Sequence, residues 1–500
     1  MESKSFQFLG HNCFLFETEK SYLITDPWFS SDGAFFGSWF QYPKNHHLLE
    51  DFLKLSFGQK KLFIYLSHEH QDHFDIQTLR KLNKNNVEMI IPKFEDNFLK
   101  VILSDEGFHV NEIEALEKVA LDNSLKIKIY VSDIGINHDS AALIEWNNLK
   151  FFNQNDCKIF EQLSSLESEA IDYYSVQFSG ATWHPSCFAF SDKRKKLISE
   201  KKVLTKLKNV VSGINTIKPK YYIPAAGPAI FPFLEESLSE GKENIFIHQD
   251  YLDKYLKSNG INNTVYLRPG DYFDESLVTP ILPPTSEEIE KYRVTLESPW
   301  EKNKFNFQKK LLQKEIQLRL DQIKDLSMHG IPIIIFQWGE SPVHKIIIDL
   351  NTNSIKTDFD EANPYIKLIA SEEYFSLMHS NFRWQDIYLS LRAQVVRRPD
   401  VFNNIANIFI FSDLSNIKKS MESTLNISNE RIEVKIEKDL KVSFDRFCPH
   451  QGADLCNAEI DKNLILKCPR HGWEFDLKNN GINIESNERI NAELIVHSKD

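Results

Sequence analysis

The chain is 500 residues long, enough for two to four domains, and it is 42% hydrophobic with 37 Phe, so it can bury large apolar cores. A formal net charge of −12, with no basic block beyond Lys193-Arg194-Lys195-Lys196, excludes a surface built for nucleic acid. The longest apolar run, Ile331–Trp338, is too short to cross a membrane, and the opening MESKSFQFLG lacks a charged-then-apolar leader pattern, so a cytoplasmic protein is expected.

Residues 1–275 read as strands alternating with polar helical stretches. Lys61–Leu66 is an apolar run with aromatic and β-branched residues, the pattern of a buried strand. It runs into Ser67-His68-Glu69-His70-Gln71-Asp72-His73. Three His and one Asp so close together on a strand-end loop reach two adjacent metal positions: His68 and His70 face one, Asp72 and His73 the other. Imidazole and carboxylate donors suit zinc or iron, and the residue types alone do not choose between them. A solvated histidine loop is the plain alternative, and the donors that recur downstream weigh against it. Gly135-Ile136-Asn137-His138-Asp139 offers another His before the apolar strand Ala141–Trp146, and Asn153-Gln154-Asn155-Asp156-Cys157 offers a carboxylate at a strand end. Lys196–Ile217 resembles a long amphipathic helix, followed by the strand Tyr221–Pro224. His184 and His248 are lone histidines, read first as loop or core residues. Thr279–Thr285, with three prolines, reads as a linker.

Ser286–Leu326 is charged and helical in pattern, and Ile333–Phe336 with Lys345–Leu350 reads as a hairpin. Trp384–Val396 has Trp384, Tyr388, Leu391 and Val395 at near-helical spacing, which predicts an amphipathic helix packed into a core. The nearby Arg383, Arg392, Arg397 and Arg398 could grip an anion or pair with Asp386 and Asp400. Short strands follow from about residue 425. Cys13, Cys157, Cys187 and Cys456 show no disulfide framework and read as thiols.

Near the C-terminus stand two loops, Cys448-Pro449-His450-Gln451-Gly452 and Cys468-Pro469-Arg470-His471-Gly472-Trp473. Each donates one Cys and one His. Cys448, Cys468, His450 and His471 are the ligand set of a Rieske 2Fe–2S centre, thiolates on one iron and imidazoles on the other. A structural zinc knuckle could use the same residue types, but such sites pair Cys with Cys and His with His, whereas each loop here mixes them. Single-electron chemistry is the consequence.

The H-x-H-x-D-H run resembles the metallo-β-lactamase superfamily, and the segments Phe8–Asn12 and Ile24–Trp28 look like its two opening strands. The resemblance implies an αβ/βα sandwich, with Asp26 standing behind the metal loop, His138 as the third His and Asp156 as the bridging carboxylate. The family's last metal His is missing: Ala225 and Ala226 occupy its segment. His68, His70, His138 and Asp156 would then form one full site, while Asp72, His73 and the shared Asp156 form a second, open one. His184 could supply a substitute ligand. The two motifs together resemble the CMP-N-acetylneuraminate hydroxylase family, as do Thr25–Trp28, Asp156-Cys157, Phe178–Ala181, Pro224–Gly227, Trp384–Tyr388 and Arg398-Pro399-Asp400. The Rieske motif comes last here, whereas the family's animal members carry it first.

The expected fold is α/β: a metallo-β-lactamase αβ/βα sandwich over 1–275, a mixed α+β middle region over 276–424 and a small all-β Rieske domain over 425–500. The function this implies is an iron-dependent monooxygenase. It would insert one oxygen atom from O2 into a small-molecule substrate, with electrons from a ferredoxin or a cytochrome b5-like protein passing through the Rieske cluster to non-haem iron, one ion or two. The alternatives are a metal-dependent hydrolase of a lactone, ester or phosphoester with a redox-sensing Rieske domain, and a pure electron-transfer protein. No nucleic-acid or membrane partner is expected, and the sequence does not name the substrate.

Overall fold

A computed structural model describes residues 5–95, 97–134, 137–296, 300, 305–380, 382–426, 430–437, 440–450, 452–470, 472–484 and 488–496. The chain folds as two units. One comprises Met1–Asp133, His138–Ser186 and Phe190–Lys304; the other comprises Ile134–Asn137, Cys187–Ala189 and Phe305–Asp500.

The first unit is built on two six-stranded sheets. Strands Gln7–Gly10 (β1), Cys13–Glu17 (β2), Ser21–Thr25 (β3), Lys61–Tyr65 (β4), Val87–Pro92 (β5) and His109–Ile113 (β6) form one sheet in sequence order. The second contains Lys118–Ala120 (β7), Leu125–Ile134 (β8), Asn137–Trp146 (β9), Leu149–Asn155 (β10), Tyr173–Gln177 (β11) and Tyr221–Ala225 (β12), also in sequence order. Strand alternation divides the side chains between layers. Phe63 and Tyr65 enter the core shared by the sheets, with Phe14, Phe16, Ile144, Trp146 and Phe151. Leu62 and Ile64 enter an outer core with Phe52, Leu99 and Leu103, which come from helices Leu49–Leu55 (α1) and Phe98–Asp105 (α2). On the other side, Leu143, Phe152 and Tyr174 pack against Leu207, Val210 and Ile214 of Asp192–Ile217 (α3) and Leu252 of Gln249–Ser258 (α4). Helix, sheet, sheet, helix is the resulting order of layers. Aromatic rings crowd the middle: Phe6 meets Phe151 edge-on at 5.0 Å, and Phe16 meets Trp146 at 4.8 Å. Each such ring contributes roughly 1.5–3 kcal/mol by burial.

Thr279–Thr285 is part of this unit. Gln249 accepts from the Ile281 N–H at 2.9 Å, and Thr285 caps the helix Ser286–Thr295 (α5) in a reciprocal box with Glu288. Tyr292 of α5 then donates to the Gln41 carbonyl at 2.7 Å and packs with Phe40 and Ile230. Proline content reads as a linker; apolar burial of α5 ties the segment down.

The second unit holds a five-stranded sheet of Ile333–Trp338 (β13), His344–Asp349 (β14), Ser354–Lys356 (β15), Tyr365–Ile369 (β16) and Gln394–Arg398 (β17), ordered β15-β14-β13-β16-β17. The predicted hairpin is present as β13–β14, with Ile334 opposite Ile348. The predicted helix over 384–396 stops early. It covers Trp384–Leu389 (α6), Leu391 takes a left-handed φ of 59°, and Val395 lies in β17, exchanging backbone bonds with Cys187 and Ala189. Trp384 and Val395 are buried as expected, in two different elements. Beneath α6 lies a buried Arg319, its guanidinium 3.6 Å from the Trp384 ring centroid and donating to the carbonyls of Phe409 and Ser412.

The same unit contains two small sheets. Arg431–Glu437 (β18) pairs with Leu440–Asp445 (β19), which pairs with Glu493–Val496 (β24). Glu459–Ile460 (β20), Ile465–Lys467 (β21), Glu474–Asp476 (β22) and Ile482–Asn483 (β23) form the other in that order. Their common core includes Cys448 and Cys468. From Phe305 onward the middle region and these sheets belong to one compact unit, whereas its first part, with α5, belongs to the other.

Candidate metal centre

Parallel strands bring distant loops to one edge of the sandwich. Strand β3 runs parallel to β4, and β10, β11 and β12 run parallel to each other. Asp26 follows β3, Ser67–His73 follows β4, Asp156 follows β10, and Ala226 follows β12. Carboxyl ends of parallel strands are where α/β sheets place ligands, because the connecting loops meet there.

Asp26 is fully buried and saturated with hydrogen bonds. Its Oδ1 accepts from the Ser67 backbone N–H at 2.8 Å. Its Oδ2 accepts from Asn12 Nδ2 and the Ser67 hydroxyl, both at 2.7 Å, and lies 2.8 Å from His73 Nδ1. This engages Nδ1 and leaves His73 Nε2 facing the site, the tautomer a metal requires. His73 Nε2 lies 3.5 Å from Asp156 Oδ1 and 3.9 Å from Asp72 Oδ2. Both His73 Nε2 and Asp156 Oδ1 are buried without a hydrogen bond. Buried polar atoms are rarely left so, and an ion between them would satisfy both.

Two donor sets share His73. His68, His73 and Asp156 have ligand atoms within 4.8 Å of one another, as do His11, Asp72 and His73. His70 is in neither set; its Nδ1 lies 2.9 Å from His68 Nε2. The His138 ring lies 5.4 Å from that of Phe94, and neither set among the described residues includes it. Its neighbour Asp139 is the closer carboxylate, 3.3 Å from His68 Nδ1, and it engages that ring as Asp26 engages His73. His184 packs against Phe190 with centroids 6.0 Å apart and is in neither set. His248 binds the Ser239 carbonyl at 2.8 Å.

Charge follows from this crowding. Burial alone would lower the His73 pKa, but Asp156, Asp72 and Asp26 outweigh it and hold the imidazole well above its usual range. Burial alone would raise Asp72 and Asp156, and His73 reverses it, keeping both carboxylates ionised. Asp139 goes the other way: burial first, then the Asp156 charge, push it well above the carboxylate range. An ion binding among these groups would therefore compete with protons. Zinc or ferrous ion binding is expected to release at least one proton per chain, and affinity should fall as pH drops. Calorimetric titration in buffers of different ionisation enthalpy reads this directly; proton-free binding between about pH 6 and 8 would contradict it.

Lys206 of α3 is a further charged group at this edge. Its Nζ donates to the Ser179 carbonyl at 2.9 Å and to Gln177 Oε1, and enclosure of the ammonium pushes its pKa down to about 7, against the pull of Asp156.

The second unit holds the Cys–His loops. Gly452 N–H donates to the Cys448 carbonyl at 2.8 Å and Cys448 N–H to the Ala453 carbonyl at 2.9 Å. The other loop repeats this, with Gly472 to Cys468 at 3.0 Å and Cys468 to Trp473 at 2.7 Å. Gly452 and Gly472 share a φ of 69°, which side-chain-bearing residues resist. Two loops of one shape thus present Cys448 and Cys468 from a common core. The His450 ring lies parallel to Trp473, centroids 4.4 Å apart, with the Phe402 ring edge-on at 4.5 Å. His471 and Gln451 lie outside the described residues.

Residues 5–151 match the β-lactamase superfamily domain, and residues 410–493 match the Rieske [2Fe-2S] domain. The chain joins a β-lactamase superfamily domain to a Rieske domain. The Rieske match supplies the 2Fe–2S cluster as its group, which the paired Cys–His loops are shaped to hold. A Mycobacterium tuberculosis protein bearing the provisional name Rieske 2Fe-2S iron-sulfur protein is 28% identical, over 94% of this chain and 96% of its own length. Its counterpart from Mycolicibacterium smegmatis is 24% identical over the same shares. Mouse cytidine monophosphate-N-acetylneuraminic acid hydroxylase is 20% identical over 80% of this chain and 72% of its own length.

The Rieske match also takes in helix Ile417–Leu425, ahead of the short strands. In the β-lactamase domain, sequence reasoning singled out neither His11, which stands beside Asp72, nor Asp139, which stands beside His68. Of the predicted arginines, Arg397 pairs with Asp400 at 2.5 Å and Arg383 with Asp413 at 3.1 Å. No described helix is long and apolar enough to cross a membrane.

Proposed function

We propose that the chain is an iron-dependent oxygenase that inserts one oxygen atom from O2 into a small molecule, with a ferredoxin or cytochrome b5-like donor feeding electrons through the Rieske domain. One observation carries the reading: buried His and Asp donor sets share His73, in a chain that also carries a Rieske domain. A hydrolase built on the same donors has no use for a one-electron carrier. The hydroxylase name of the mouse relative supports the same class of chemistry. Iron held by His68, His70, Asp72, His73 and Asp156 would supply oxygen activation, and the cluster held by Cys448, His450, Cys468 and His471 would supply single electrons. His138 enters this proposal only through its strand, which places Asp139 against His68.

The chain's own groups have separate tasks. Asp26 fixes the His73 tautomer, and Asp139 engages His68. With a pKa of about 7, Lys206 Nζ can hold or release a proton at this edge near neutral pH. Ser67 ties the loop to Asp26 through both its backbone N–H and its hydroxyl.

Anaerobic purification followed by metal analysis and oxygen uptake tests the proposal. More than two irons per chain, with O2 consumed when a reduced donor and substrate are present, is the expected result. Two irons plus zinc, with ester or lactone cleavage and no O2 uptake, would make the chain a hydrolase.

A further inference from the structure

The segment after β12 has Ala225 and Ala226 where the superfamily resemblance calls for a metal-binding imidazole. The structure brings a different imidazole to that place. His11 lies in the two-residue turn between β1 and β2, and the Ala226 N–H donates to the His11 carbonyl at 2.9 Å. Its Nε2 reaches 3.3 Å from Asp72 Oδ2, yet it is buried and forms no hydrogen bond. The His11 side chain is 4% exposed.

The turn is locked from several directions. Gly10 has a φ of 116°, and a Cβ there would come within 2.5 Å of Gln41 Oε1. Asn12, the other turn residue, donates to Asp26, the carboxylate that also orients His73. The His11 ring meets Trp28 edge-on at 5.2 Å and His73 at 5.1 Å. One buried carboxylate thus fixes both the turn that carries His11 and the ring of His73.

We propose that His11 is a metal ligand, completing a second ion position with Asp72 and His73 in place of the imidazole absent after β12. The inference rests on the reading of the β-lactamase domain as a metal centre and adds to it a third side-chain donor at the open position. Two imidazole nitrogens and one carboxylate oxygen suit ferrous ion or zinc and leave coordination positions for water or substrate.

Zinc uptake by the full-length protein tests it, using equilibrium dialysis and elemental analysis with cluster iron counted separately. His11→Gly suits the test because φ at this position is 50°, which glycine adopts freely, so the turn is retained. Wild type is expected to take up two zinc ions, and His11→Gly one with unchanged affinity while the second weakens roughly 100-fold or more. Added imidazole should restore the second ion in His11→Gly. His11→Gln, which keeps the bulk and loses the donor, should show the same deficit without rescue. Two tightly held ions in both variants would overturn the assignment, as would a single ion in wild type. Zinc uptake by neither wild type nor variants would instead remove the metal-centre reading itself.

Discussion

Asp26→Ala is expected to cost the β-lactamase domain roughly 3–5 kcal/mol of stability and to weaken metal binding about 10–100-fold. The carboxylate touches no candidate ion position directly, so both effects act through its partners. Removing it strands the Ser67 N–H and the Asn12 amide, and leaves the Ser67 hydroxyl and His73 Nδ1 only their weaker contacts with each other and with His68 Nδ1, in a site with no exposed surface at Asp26. Each buried donor left without an acceptor costs about 1–3 kcal/mol, and a charged imidazole costs more. His73 would also lose the contact that fixes its tautomer, and the turn carrying His11 would lose its anchor. Chemical denaturation and metal-uptake curves on the same preparation separate the two effects. A variant as stable as wild type, with unchanged uptake, would show that Asp26 does not organise the centre. Asp26→Asn sharpens the test: it keeps the shape but sets an amide N–H against a ring of donors, so most of the loss should remain.

That network explains why some of the centre could be read from sequence and some could not. His68, His70, Asp72 and His73 are close along the chain, so spacing alone places them on one loop. Asp156 follows a strand whose apolar pattern marks its end. His11 acts across 61 residues, and in sequence it is a single His in a hairpin turn; only the meeting of that turn with the backbone of Ala226 makes it a candidate ligand. His138 and Asp139 show a different difficulty. Both residue types can serve a metal, and strand alternation sends them in different directions, so the choice turns on a phase of one residue. Residue type favours the imidazole; the geometry sets the carboxylate beside His68. Periodicity has the same limit at Trp384–Val396, where a helix followed by a strand buries Trp384, Tyr388 and Val395 at positions that mimic one continuous helix. The sandwich and the Cys–His loops, in contrast, rest on patterns local to each element.

Cys468→Ala should remove the cluster's visible absorbance and reduce turnover with the natural electron donor to background. Zinc or iron uptake by the β-lactamase domain should remain within about twofold of wild type, since its donors all lie in the first unit. The loop should survive the change, because Gly472 and Trp473 hold the Cys468 backbone without help from the sulfur. The cluster loses one of four protein ligands and cannot be retained. The exposed Cys456, outside both loops, is the control: Cys456→Ala should keep cluster and turnover. Loss of turnover alone would not separate an electron route from a structural role, and hydrogen peroxide does. Peroxide carries both the oxygen atom and the two electrons that O2 chemistry draws from the donor, so substrate plus peroxide balances to hydroxylated product plus water. If the cluster serves only to deliver electrons, peroxide should restore product formation in Cys468→Ala while the reduced donor with O2 does not. Full turnover of the variant with the natural donor would end the electron-relay reading; failure of peroxide with both metal uptake and stability intact would mean the Rieske domain does more than deliver charge.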